Sequence, residues 1–248
     1  MQLRYITCSD PREDTPIEDI LRLSQIAPNV EIAVQAHNSK MSFDMPRRKW
    51  FETLLKESLT MPTAPNLAVH VNLDWCDKFC QGILVPDLLD LFFLLREDGM
   101  PAIRRWQINI HGSKTKLFKT ENIGKLMKNY PNREFIFQYG ASEYHRMQRL
   151  DKNAANFSLL YDTSGGAGKL TKNWRAPLFE KHPQGYAGGL SPENVSENLD
   201  KIAKVAGSRT DIWIDAEGKL KTPGTKTFDI NRAKQYINAA VHWQQKQK

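Results

Sequence analysis

Leu159-Leu160-Tyr161-Asp162-Thr163-Ser164-Gly165-Gly166-Ala167-Gly168-Lys169 runs from an apolar stretch into a carboxylate and then into a glycine-rich loop. A strand that delivers an acid at its carboxyl end, ahead of a permissive loop, is one unit of an alternating α/β chain. Alone, the stretch reads equally as a turn with a solvated aspartate. The next unit shifts the balance. Tyr186-Ala187-Gly188-Gly189-Leu190 ends a strand and passes into Ser191-Pro192-Glu193-Asn194, a helix start with proline at the first helical position. Two glycines beside the free N–H groups of a first helical turn make an anion site suited to phosphate. Asp215-Ala216-Glu217-Gly218 repeats the theme less cleanly.

Outward from these units the alternation continues. Strand-like runs fall at 3–8, 30–36, 67–71, 104–110, 134–139, 157–162, 185–187 and 211–215. Their starts lie 23 to 37 residues apart, room for the crossover that parallel strands require. Thr15-Pro16-Ile17-Glu18 reads as a capping box, and Asp229 as the cap of the last helix. Residues 73–82 and 86–96 read as two helices between the third and fourth strands. Eight such units predict one closed (β/α)8 barrel over residues 1–241, with a polar, frayed tail at 242–248. A doubly wound open sheet is the competitor.

Composition sets the bounds. The 248 residues carry 35 Lys+Arg against 28 Asp+Glu, a net charge of +7, and 40% are apolar. That is the balance of a globular chain and excludes a disordered one. The most apolar stretch, 83–95, is interrupted by Pro86, Asp87 and Asp90, so no membrane partner is expected. The first ten residues lack the apolar region of a secretory signal. Three cysteines, Cys8, Cys76 and Cys80, form no disulfide framework, and a reducing cytoplasm is the expected location. Cys76 and Cys80, four apart with His70 nearby, are a weak zinc signal; a packed helix face is the better reading, and no metal is expected. Arg47-Arg48-Lys49 lacks aromatic interleaving, which disfavours nucleic acid. His70 and His111 alternate into strands that would line the barrel or its mouth. The oligomeric state is left open.

YDTSGGAGK at 161–169, YAGGLSPENV at 186–195 and EGKLKTPGTKTFDINRAKQYI at 217–237 resemble the carboxyl half of phosphoribosylanthranilate isomerase, the (β/α)8 enzyme of tryptophan synthesis. Gln107-Ile108-Asn109-Ile110-His111-Gly112 is similar to that family's fourth strand, and LAVHVN at 67–72 to its third. The likeness runs through residues 100–240 in order and is faint before them.

The resemblance implies an Amadori-type rearrangement of an N-linked phosphoribosyl compound, with no cofactor. It implies Asp162 as general acid, Cys8 as general base, and Arg47 (or equally Arg48) as a clamp on the substrate carboxylate. Gly165, Gly166, Gly168, Gly188, Gly189 and Gly218 would grip the phosphate, and Trp174 would touch the substrate; His111 reads from its strand position as a barrel-interior histidine held by hydrogen bonds or as a substrate contact. The first strand reads Ile6-Thr7-Cys8-Ser9, without the family's lysine and glycine, so Cys8 also reads as an ordinary buried cysteine. Glu217 stands where the family has a serine and would repel a phosphate dianion. Either Glu217 points away, or the group it meets is an amine or hydroxyl. The alternative function is a barrel that binds a nucleotide or phosphosugar without isomerase activity.

Overall fold

The computed structural model describes residues 1–110, 117–140, 143–152, 154–164 and 168–247. Among them eight parallel strands close into a barrel in chain order, β8 pairing back onto β1. They are β1 (Leu3–Ser9), β2 (Val30–Ala36), β3 (Asn66–Val71), β4 (Arg105–Ile108), β5 (Glu134–Tyr139), β6 (Phe157–Asp162), β7 (Gln184–Ala187) and β8 (Ile212–Ala216). The expected strands agree to within two residues, and the barrel is the expected fold.

The helices are α1 (Ile17–Ser24), α2 (Asn38–Met41), α3 (Pro46–Leu59), α4 (Leu73–Cys80), α5 (Leu89–Phe93), α6 (Thr120–Asn129), α7 (Tyr144–Asp151), α8 (Val195–Ala206) and α9 (Ile230–Gln245). Asp229 caps α9, accepting from the N–H groups of Asn231 and Arg232. Two other expected starts differ. The Thr15 hydroxyl accepts from the Arg12 N–H instead of capping α1. Helix α8 begins at Val195 rather than Pro192, because the Asn194 side chain ties down the turn, accepting from the Ser191 N–H at 2.9 Å and donating to the Gly189 carbonyl at 3.0 Å. Among the described residues no helix joins β6 to β7. Pro177 and Pro183 oppose one there, and Trp174, Leu178 and Phe179 pack against the core in its place.

Successive strand residues face opposite sides of the sheet, and here the two sides differ in chemistry. Outward residues such as Ile6, Cys8, Ile32, Val69, Trp106, Phe135, Leu159 and Ile214 join the apolar shell against the helices. Inward, a small apolar group of Ile136, Leu160, Ala187 and Trp213 sits among buried polar residues. Arg105 lies at the centre of these. Its guanidinium donates to Glu31 at 2.6 Å and to Glu134 at 3.3 Å, and stacks over the rings of Tyr5 and Trp213 at 4.3 and 4.5 Å. Arg4 makes a two-pronged bond to Glu134, Ser158 donates to the same carboxylate, and Thr7 donates to Glu31. A barrel interior is usually filled by Val, Ile and Leu; this one is floored by ion pairs.

Gly185 makes room for that floor. A Cβ there would fall 2.2 Å from Cε2 of Trp213, a ring already held by Arg105 and the apolar group. Gly185→Ala is therefore expected to cost about 1–3 kcal/mol by overpacking, read as a lower urea midpoint with unchanged slope. An unchanged midpoint would show that the Trp213 ring moves freely.

Candidate active site

The inward alternation reaches the carboxyl ends of the strands as a polar mouth. A cavity of about 210 Å³ opens there, lined by Gln35, His70, Asn72, Gln107, Asn109, Gln138, Asp162, Asp215, Glu217 and Lys219, with Gly168, Gly188, Gly189 and Gly218 at its edge. Carboxamides dominate the wall on the β2–β5 side. Gln107 Nε2 donates to Asn109 Oδ1 at 2.8 Å and lies 3.3 Å from His70 Nδ1; Asn109 Nδ2 donates to Asn72 Oδ1 at 2.8 Å; Asn72 Nδ2 donates to the His70 carbonyl at 2.9 Å. Burial, followed by the positive charge of Arg105, pushes His70 down to about 3. The imidazole is thus neutral, and the amide donor at Nδ1 places its proton on Nε2.

Two aspartates face this wall from β6 and β8, in contrasting surroundings. Three donors converge on Asp162: Gln138 Nε2 at 2.6 Å, the Ser164 N–H at 2.8 Å and the Ser164 hydroxyl at 2.7 Å. Among the described residues Asp215 takes one hydrogen bond, from the Ser9 hydroxyl at 2.5 Å. Burial pushes its carboxyl up to about 8, the charges of Glu217, Glu31 and Asp162 add to the rise, and the Ser9 bond opposes it. Asp215 therefore carries a proton at neutral pH. Glu217 is also pushed up, by burial and by Asp10, against the pull of Lys221 at 3.4 Å.

The structure brings Asp162, Glu217, Gly168, Gly188, Gly189 and Gly218 to one cavity. His111, Gly165 and Gly166 lie outside the described residues. Cys8, Arg47 and Trp174 are not among the lining residues. Cys8 needs correction as a base: its thiol faces the helix shell with no exposed surface. Burial and the charge of Asp215 push it well above the usual thiol range, the opposite of an activated thiolate. Arg47, at the start of α3, is consumed by Glu13 at 2.7 Å and Asp10 at 3.5 Å. It reaches the mouth only through a chain of charges, because Asp10 also holds Lys221 at 2.8 Å and Lys221 holds Glu217. Arg48 is tied to Glu52, Asp90 and the Asp87 carbonyl. Trp174 is a packing residue whose indole N–H bonds Asn198 at 3.0 Å.

The paired glycines also serve a different end. Gly188 at φ +113° and Gly189 at φ +69° adopt backbone that favours glycine. A Cβ on Gly188 would meet Thr171 Oγ1 at 2.6 Å and Asp162 Oδ1 at 3.2 Å; one on Gly189 would meet the Leu170 N at 2.5 Å. The close approach they permit is to the chain's own segment at 169–171. Lys219 is the one cation among the described lining residues, against Asp162, Asp215 and Glu217. The sequence reading passed over Asp215 as an acid and the carboxamides altogether. Their signal is polar residues two or four positions apart on one face of otherwise apolar strands, as at Glu31 and Gln35, His70 and Asn72, and Arg105, Gln107 and Asn109.

Among the described residues no group of three or more His, Cys, Asp or Glu could hold a metal ion, and no helix is long and apolar enough to cross a membrane. The architecture and the position of the mouth define a (β/α)8 barrel with its cavity at the carboxyl ends of the strands. No family model and no curated protein matches the chain. Among solved structures it is similar to KGPDC from Streptococcus mutans, at 12% identity and a TM-score of 0.50, over 97% of this chain and 99% of that one. A likeness at that identity speaks to the fold alone.

Asp215 makes stability depend on pH. Its folded value of about 8 stands above the ordinary 3.8, so between those values the folded chain keeps a proton that the unfolded chain has released. Stability then falls as pH rises through that window, by at most about 1.4 kcal/mol per pH unit. Asp215→Asn cannot ionise and should flatten the decline between pH 5 and pH 8 in urea unfolding. Parallel curves for variant and wild type would refute the raised value.

Proposed function

We propose that the chain is a general acid–base enzyme that moves protons on a small polyhydroxylated substrate held at the barrel mouth. The observation that carries this reading is the Asp162–Asp215 pair. Two carboxyl groups share one cavity, one surrounded by donors and the other kept protonated by burial. A protonated carboxyl facing one that accepts several hydrogen bonds can serve as acid and base. Asp215 is the proton donor and Asp162 the acceptor, the reverse of the role the resemblance implies for Asp162.

The wall supplies orientation. Gln35, Asn72, Gln107, Asn109 and Gln138 present amide donors and acceptors, and neutral His70 adds an N–H. Such groups match hydroxyls, which both give and accept. Carboxylates around the cavity disfavour a phosphate dianion deep within it. A phosphate on the substrate would be held at the edge, near Lys219 and Gly218.

The finer reading is an Amadori-type isomerase of an N-linked phosphoribosyl compound. The motifs at 161–169 and 186–195 support it, as does a carboxyl group at the end of β6. In that chemistry Asp215 protonates the ring oxygen, the ring opens to an iminium, and Asp162 removes the C2 proton to give an enolamine that becomes the ketone. A binder without turnover is the second reading, favoured by the buried Cys8 and the sequestered Arg47.

Proton exchange separates these readings. In D2O, with phosphoribosylanthranilate and with unphosphorylated N-ribosylamines, the wild type is expected to exchange the C2 proton of one class. Asp162→Asn and Asp215→Asn should each lose about 10²–10⁴-fold in that rate while still binding the sugar. Binding without exchange would favour the binder, and full exchange by both variants would reject the pair.

A further inference from the structure

The floor of the barrel holds a second cavity, at the opposite end from the mouth. It has a volume of about 240 Å³ and is lined by Tyr5, Glu31, Asn66, Arg96, Arg104 and Arg105, with apolar residues between them. A buried water needs about 10–15 Å³, so the space exceeds what one or two waters fill.

Glu31 and Arg105 meet there in an unfinished pair. Their side chains are each 1% exposed and joined by a single bond, Arg105 Nη1 to Glu31 Oε1 at 2.6 Å. An arginine and a carboxylate can make two parallel bonds. Here Glu31 Oε2 and Arg105 Nη2 are left without a hydrogen-bond partner among the described residues. A buried acceptor and a buried donor are each costly while unsatisfied. They call for one group that donates to the first and accepts from the second. An ammonium only donates and a carboxylate only accepts, whereas a hydroxyl does both.

The rim adds charge of one sign. Among the described residues Arg104 is exposed and makes no ion pair, and Arg96 pairs only with Asp98 at 3.3 Å, both side chains open to solvent. Such a surface pair is weak and exchanges readily for another anion.

We propose that this cavity is a second ligand site, for a compact hydroxy acid whose hydroxyl bridges Glu31 and Arg105 and whose anionic group meets Arg104 and Arg96. It is separate from the cavity at the mouth, whose lining includes none of these residues.

D-glycerate is a suitable probe, with propionate (no hydroxyl) and glycerol (no anion) as controls at equal ionic strength. Calorimetric titration of the full chain is expected to show D-glycerate binding at least tenfold tighter than either control. Arg104→Ala, a change on the exposed rim that leaves the buried pair intact, should weaken it at least tenfold. Asp162→Asn should leave it unchanged, which separates this site from the mouth. Glu31→Gln, provided that it folds, should retain a bridging group and weaken binding less than Glu31→Leu. Equal binding of the three probes would mean that water alone completes the pair and would overturn the proposal. So would undiminished binding by Arg104→Ala or loss of binding in Asp162→Asn.

Discussion

Everything at the mouth rests on Arg105. A guanidinium buried inside a barrel is stable only where its charge is matched and its donors are used, because an uncompensated buried charge costs several kcal/mol. Here Glu31 and Glu134 match it, and Tyr5 and Trp213 offer it their ring faces. Arg4 balances the second carboxylate from the barrel's lower edge. Four strands are thereby tied across the interior by charge rather than by interlocking aliphatic side chains. The requirement reaches the backbone, since Trp213 can lie over Arg105 only because residue 185 has no side chain.

The same charge reaches upward. With burial, it keeps His70 neutral, and a neutral ring can accept from Gln107 at one nitrogen and donate from the other. The carboxamide wall inherits its orientation from that assignment. On the other side, Asp215 sits where β8 closes onto β1, bonded to Ser9 of the neighbouring strand. The strand pairing that completes the sheet also takes the Asp215 carboxyl out of water.

The mouth is more acidic than a phosphate pocket should be, and the rim accounts for the charge. Arg12, Arg47 and Lys221 gather around Asp10, outside the cavity, and Lys221 leans on Glu217. These three cations are thus spent on the rim's own carboxylates. The cavity presents amides and acids, an arrangement that suits hydroxyl groups better than a multiply charged anion.

Much of the architecture was legible in the chain. Apolar runs at barrel spacing located every strand, because burying one face of each strand against helices leaves a local pattern. Asp162 was legible too, as an acid at a strand end before glycines. Cys8 and Arg47 misled because position along a strand or helix does not reveal which way a side chain faces or which partner claims it. A cysteine one residue from the barrel lining points into the shell, and an arginine is held by acids more than thirty residues away in sequence. The amino-acid order alone determined the barrel and the end at which its loops gather, since both follow from local alternation and chain direction. Only the closed tertiary structure decided that Asp215 is an acid, that His70 is neutral and that Arg105 forms a floor, because each depends on dielectric and charge supplied by strands remote in sequence.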